Sequence, residues 1–177
     1  MDTHITIGIS ACLFGNNTRY DGGNRHEPQL VETLRRSVTL IPLCPEAECG
    51  LTIPREPMQL EGDPNKPRLV TIASRCDLTD AMLDWCRQWL DTLPNNGVSG
   101  LVLKARSPSC GKRVTVHGPG PGIKEPASSP GIFVRLVLER FPSLPIADEE
   151  ELRDPARLED FLKHSTEHGR YIEEEQQ

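Results

Sequence analysis

The sequence predicts an α/β fold: a mostly parallel, Rossmann-like sheet flanked by helices, in a single compact domain with long loops. Three observations predict it. Short apolar or β-branched runs alternate with segments whose apolar residues recur at helical spacing, the pattern of βαβ units. The chain has 177 residues, enough for one domain with a proper core. Its 16 prolines and 14 glycines argue for long ordered loops.

Taken in order, Ile5 to Ser10 is a β-branched run that reads as a buried first strand, ending at Ala11-Cys12. Residues 15–24 (GNNTRYDGGN) are turn-rich. Glu27 to Arg36 carries Leu30, Val31 and Leu34 at helical spacing. Val38 to Leu43 reads as a second strand ending at Cys44, although Pro42 lacks a ladder donor. Residues 45–68 read as a long loop of the kind that is usually functional, and Leu69 to Ala73 as a small edge strand. A helix is expected from Leu78 to Leu93, capped by Asp77 or Thr79 and stopped by Pro94-Asn95-Asn96-Gly97. Val98 to Leu103 is the third strand. After a proline- and glycine-rich loop over 116–130, Gly131 to Phe141 reads as a helix and Leu144 to Ala147 as the fourth strand. Asp154 and Pro155 open a last helix to about His164. The domain is drawn at residues 1–165, and the charged tail 166–177 reads as frayed or loosely helical.

Composition narrows the function. The formal net charge is -6 and the basic residues are scattered, whereas a protein gripping nucleic acid shows a basic stripe. Strong nucleic-acid binding is therefore not expected, while a small anion needs only a local site. The start, MDTHITIGIS, has no basic segment before an apolar run. No stretch approaches the roughly 20 apolar residues of a membrane span. A cytoplasmic protein with reduced thiols is the expectation, and its six cysteines then point to metal binding or catalysis more than to disulfides.

In open parallel sheets the ligand site lies beyond the carboxyl ends of the strands. Cys12 follows the first strand, Cys44 the second and Cys110 the third, so three pieces of chain bring a thiol to one edge of one sheet. Cys86 lies inside a helix beside Trp85 and suits packing, Cys76 lies in a turn, and Cys49 lies in the loop after Cys44. Three thiolates leave two metals open. Structural zinc favours four ligands, often in close pairs that are missing here, but catalytic zinc takes three. A cubane iron–sulfur cluster normally takes four thiolates, and with three it keeps one exchangeable iron, which a substrate atom can bind. Glu46, two residues after Cys44, can move protons in a sheltered site. Ser107 and Ser109 flank Pro108 just before Cys110, where a hydroxyl can orient substrate or water. Lys104, Arg106, Arg19 and Tyr20 lie beside these segments, and basic groups there can meet an anionic substrate.

The segments Ser10-Ala11-Cys12-Leu13-Phe14-Gly15, Arg19-Tyr20-Asp21-Gly22, Cys44-Pro45-Glu46, Gly50-Leu51, Pro54-Arg55 and 104–111 (KARSPSCG) resemble the signature of the TudS-type thiouracil desulfidases. The resemblance implies a compact α/β domain carrying a 4Fe–4S cluster on Cys12, Cys44 and Cys110, with one open iron that binds the sulfur of a thiocarbonyl base. It implies conversion of 4-thiouracil or 4-thiouridine 5′-monophosphate to the oxo compound and sulfide, assisted by Glu46 and Ser107. Arg19, Tyr20, Lys104, Arg106 and Ser109 are the expected substrate contacts. A single phosphate would find Arg19, Arg55, Lys104 or Arg106 near the site. The loop 118–130 departs from the family pattern and is read as reshaping the substrate mouth. Two rival functions use the same cysteines: a zinc-dependent hydrolase with a metal-bound water, and a non-catalytic iron–sulfur sensing module, against which the acid–base group Glu46 argues.

Overall fold

The structure, a computed structural model, describes residues 5–118 and 127–175. In chain order it runs β1 (Thr6–Ser10), α1 (Ala11–Phe14), α2 (Pro28–Arg35), β2 (Thr39–Leu43), α3 (Pro45–Glu48), β3 (Met58–Glu61), β4 (Arg68–Thr71) and α4 (Thr79–Thr92). It continues with β5 (Val98–Leu103), β6 (Val114–His117), β7 (Ala127–Ser129), α5 (Ile132–Arg140), β8 (Ile146–Asp148) and α6 (Pro155–Glu175).

The four strands expected from the apolar runs form one wholly parallel sheet in the order β2-β1-β5-β8. Every residue of β5 is buried, as a central strand covered on both faces requires. Pro42 is tolerated because β2 is an edge strand. On one face, Leu101 and Leu103 pack with Met82 and Cys86 of α4 and Phe133 and Val137 of α5. On the other, Ile7, Ile9 and Val102 pack with Val31 and Leu34 of α2 and Phe161 of α6. The chain leaves β1 toward β2 on one side and later enters β5 on the other. The strand order therefore reverses between β1 and β5, and a crevice opens there at the carboxyl ends.

The structure departs from the sequence expectation in three places. Residues 45–68 are not all loop: α3 is one helical turn, and β3 joins a second four-stranded sheet, β4-β3-β6-β7. The Leu69–Ala73 segment is an edge strand, as read, but of that second sheet. The segment 116–130 is not all loop either: residues 116–117 and 127–129 belong to the antiparallel pair β6 and β7, and residues 119–126 lie outside the described residues. Finally, α6 does not end at His164 but continues to Glu175. Ser165 is fully buried, and a Cβ added at Gly169 would lie 3.2 Å from Ile5 Cγ2 and 3.4 Å from Ser99 Cβ. Two small residues one turn apart let the helix lie close on the sheet, a signal that a charged composition hides. Among the described residues no helix is long and apolar enough to cross a membrane.

Candidate active site

Cys12, Cys44 and Cys110 line one cavity of about 350 Å³ at the carboxyl ends of β1, β2 and β5. Cys12 sits in α1, the single turn that continues β1; Gly15 ends that turn in the left-handed conformation (φ 112°), which glycine adopts without penalty. Cys44 directly follows β2, and its N–H donates to Glu48 Oε1 at 2.8 Å. Cys110 is held by a tight loop. The N–H of Cys110 and that of Ser109 donate to Ser107 Oγ, at 3.2 and 3.3 Å. The first N–H groups of α5, from Ile132 and Phe133, donate to the carbonyls of Pro108 and Ser109. A Cβ at Gly111 would lie 2.8 Å from Ser107 O, and one at Gly131 2.6 Å from Ser109 O, so only glycine permits this packing.

The thiols feel one another. Burial pushes Cys12 up to about 11; nearby Cys44 adds to the rise, and Lys104 and Arg19 oppose it. Burial raises Cys110 well above the ordinary thiol range, with Cys44, Glu46 and Cys12 adding to the effect. Such thiols are neutral until a cation is present to favour their thiolates. Among the described residues no three His, Cys, Asp or Glu side chains converge closely enough to hold a single ion. Three soft donors spaced around a cavity fit a cluster, whose ligands bind different irons, better than one zinc ion, whose ligands must share a centre.

Glu46 lies in the same wall, fixed from two sides. Arg55 Nη2 and Nε donate to Oε2 at 2.5 and 3.0 Å, and Ser109 Oγ donates to Oε1 at 2.8 Å. Arg55 Nη2 also donates to Thr18 O at 2.9 Å, which ties the loop after α1 to the same point.

Of the other expected site residues, Ser107, Arg19, Tyr20, Lys104 and Arg106 all line the cavity. Ser109 does not: it is fully buried behind Glu46. Every basic group singled out in the sequence already has a carboxylate: Arg19 has Asp21 at 3.3 Å, Arg55 has Glu46, Lys104 has Glu149 and Arg106 has Glu150 at 2.5 Å. Cys49 is not in the cavity lining; it packs against the core beside α4. Cys86 is buried in that core and Cys76 is exposed. The expectation that loop 118–130 reshapes the mouth falls largely on 119–126, outside the described residues.

Sequence reasoning missed Glu149, Arg25, Thr18 and Ser10. Glu149 is buried and accepts from Lys104 Nζ and from the Ala105 N–H at 2.7 Å. Ser10 Oγ accepts the Lys104 N–H at 2.9 Å. A signal for Glu149 was present: Asp148-Glu149-Glu150 lies at the carboxyl end of the fourth strand, where the strand-end rule places functional groups.

A family model described as 2-thiouracil desulfurase matches residues 7–149, a span that includes every residue of the cavity. The uncharacterized protein YbbK of Bacillus subtilis (strain 168) is 27% identical over 153 residues, covering 84% of this chain and 98% of that protein. A solved structure of the 4Fe-4S-dependent thiouracil desulfidase TudS matches with a TM-score of 0.67 and 28% identity, covering 86% of this chain and 95% of that one.

Proposed function

The chain belongs to the 2-thiouracil desulfurase family, and on that premise we propose that it is an iron–sulfur-dependent desulfidase that converts a thiolated uracil to its oxo form and sulfide. The observation that carries this reading is the gathering of three thiols from three strand ends around one cavity, beside a carboxylate clamped by Arg55 and Ser109. The chemistry of the solved relative, 4Fe-4S-dependent by its name, supports the same assignment.

Cys12, Cys44 and Cys110 would hold the cluster. With three protein ligands a cubane supplies one iron with an exchangeable position, a Lewis acid for the substrate sulfur. The rest falls to the chain's own side chains. Glu46 takes a proton from the water that adds to the thiocarbonyl carbon and returns it to the departing sulfur. Oε2 takes both Arg55 donors, whereas Oε1 accepts only from Ser109 Oγ and keeps a lone pair free for that water. Ser107 spends its lone pairs on the N–H groups of Ser109 and Cys110, which leaves its hydroxyl proton to donate to substrate. Tyr20 offers an exposed aromatic face backed by the Arg19 guanidinium 5.2 Å from its centroid, a surface on which a base can stack. The carbon–sulfur bond breaks, the oxygen of water stays on carbon, and sulfur leaves as sulfide. No electron is transferred to or from the substrate, so the reaction needs no nicotinamide or flavin.

The substrate is a small thiolated uracil, 4-thiouracil or 4-thiouridine 5′-monophosphate, rather than tRNA. A net charge of -6 disfavours a large polyanion. The test is anaerobic reconstitution followed by a screen of thiolated bases, nucleosides, nucleotides and tRNA. Turnover of the small species supports the proposal. The highest kcat/KM on tRNA would overturn the substrate assignment, and no turnover of any of them would return the protein to the sensing or zinc alternatives.

A further inference from the structure

Five basic side chains line the cavity: Arg19, Arg25, Arg55, Lys104 and Arg106. Four of them are neutralised by Asp21, Glu46, Glu149 and Glu150. Arg25 has no carboxylate partner among the described residues. An anion that approaches any of the other four must compete with a bound carboxylate. At Arg25 it meets an uncompensated charge with five donors in a planar fork, the geometry that suits phosphate.

The position of Arg25 is fixed relative to the thiols. Its N–H donates to Cys12 O at 2.9 Å, so the backbone that carries the guanidinium is bonded directly to that of a candidate cluster ligand. The side chain is exposed yet lines the cavity, which puts it at the rim while Cys110 is buried. Thr18, on the same loop, also lines the cavity.

We propose that Arg25 recognises the anionic end of the substrate, a nucleoside 5′-phosphate, and so orients the thiocarbonyl inward toward Cys12, Cys44 and Cys110. This inference rests on reading the cavity as a desulfidase site and adds to it the group that sets preference among thiolated uracils. The larger groove of about 620 Å³ beside β8 and α6 shares no residue with the cavity.

The test uses reconstituted holoprotein. Steady-state kcat/KM is measured on 4-thiouridine 5′-monophosphate and on 4-thiouracil for the wild type, Arg25→Ala and Arg25→Lys. Binding of uridine 5′-monophosphate is measured in parallel by equilibrium dialysis, with inorganic phosphate as competitor. Loss of one charge-assisted contact predicts that Arg25→Ala lowers the monophosphate-to-base ratio by about 10- to 100-fold and weakens nucleotide binding by a similar factor. Arg25→Lys should fall between the two. An unchanged ratio with unchanged nucleotide binding overturns the inference while leaving the desulfidase assignment intact, as does a wild type that prefers the free base. Competition by phosphate alone, as strong as by the nucleotide, shows a general anion site and overturns nucleotide selection. A wild type that binds the nucleotide but turns over neither thiolated compound refutes the desulfidase reading instead.

Discussion

The guanidinium of Arg55 and the carboxylate of Glu46 form an ion pair that is nearly out of solvent, with Nη2 2.5 Å and Nε 3.0 Å from Oε2. The same guanidinium reaches Thr18 O and Thr52 O, so one side chain sets the position of Glu46 relative to two loops. Lysine keeps the charge but not the planar fork. Arg55→Lys should retain iron and fold while kcat falls by about 10²-fold, the scale of a misplaced reacting group. Iron content and steady-state kinetics of the variant check this; wild-type kcat would remove Arg55 from the positioning of Glu46.

Glu46→Gln should keep its iron and lose about 10²–10⁴-fold in turnover, the typical contribution of a positioned proton carrier. Ser109→Ala should act in the same direction but more weakly, because the hydroxyl works through Glu46 Oε1 from a fully buried position. Double-mutant kinetics separate the roles: Ser109→Ala should cost little further in the Glu46→Gln background, whereas a purely structural loss would add to it.

The three cavity cysteines and the core cysteine should part cleanly. Cys12→Ala, Cys44→Ala and Cys110→Ala should each yield protein without bound iron after anaerobic reconstitution. Cys86→Ala, fully buried within α4, should keep its iron at a stability cost of about 1 kcal/mol. Iron and acid-labile sulfide assays decide it, and full iron content in any of the first three would remove that residue from the ligand set.

The docking of α6 predicts a purely structural effect. A Cβ at Gly100 would lie 2.5 Å from Ser165 Oγ, 2.9 Å from Ile7 Cδ1 and 3.1 Å from Phe161 Cζ. Gly100→Val should therefore destabilise the fold by about 1–3 kcal/mol, measured by urea unfolding. An unchanged midpoint would mean that α6 does not bear on β5.

Much of this arrangement was legible in the sequence, for identifiable reasons. The parallel sheet came through because its strands are buried runs such as Val98 to Leu103, which no charge interrupts. The three cysteines came through because chain order alone puts them after strands. The second sheet did not, because β3 is a four-residue strand, Met58 to Glu61, in a segment dense with proline, and it lacks β-branched residues. The end of α6 was hidden because Ser165 and Gly169 dock by being small, which hydrophobic periodicity does not detect. Charge pairing was illegible for a different reason. The partners of Lys104 and Arg106 lie 45 and 44 residues away, and only the fold brings the β8 end beside the β5 end. That same pairing singles out Arg25, which its own sequence context does not mark.

The central claim is that Cys12, Cys44 and Cys110 carry a cluster that enables desulfuration without redox change. The most direct measurement is sulfide released against oxo product formed from 4-thiouracil and 4-thiouridine 5′-monophosphate, by anaerobically reconstituted protein without added reductant, with iron-free protein alongside. The account predicts a brown protein with about four irons per chain, one sulfide per oxo product, and no turnover by the iron-free protein. A colourless protein that turns over substrate with zinc as its only metal, or an iron-replete one that releases no sulfide from either substrate, would contradict it.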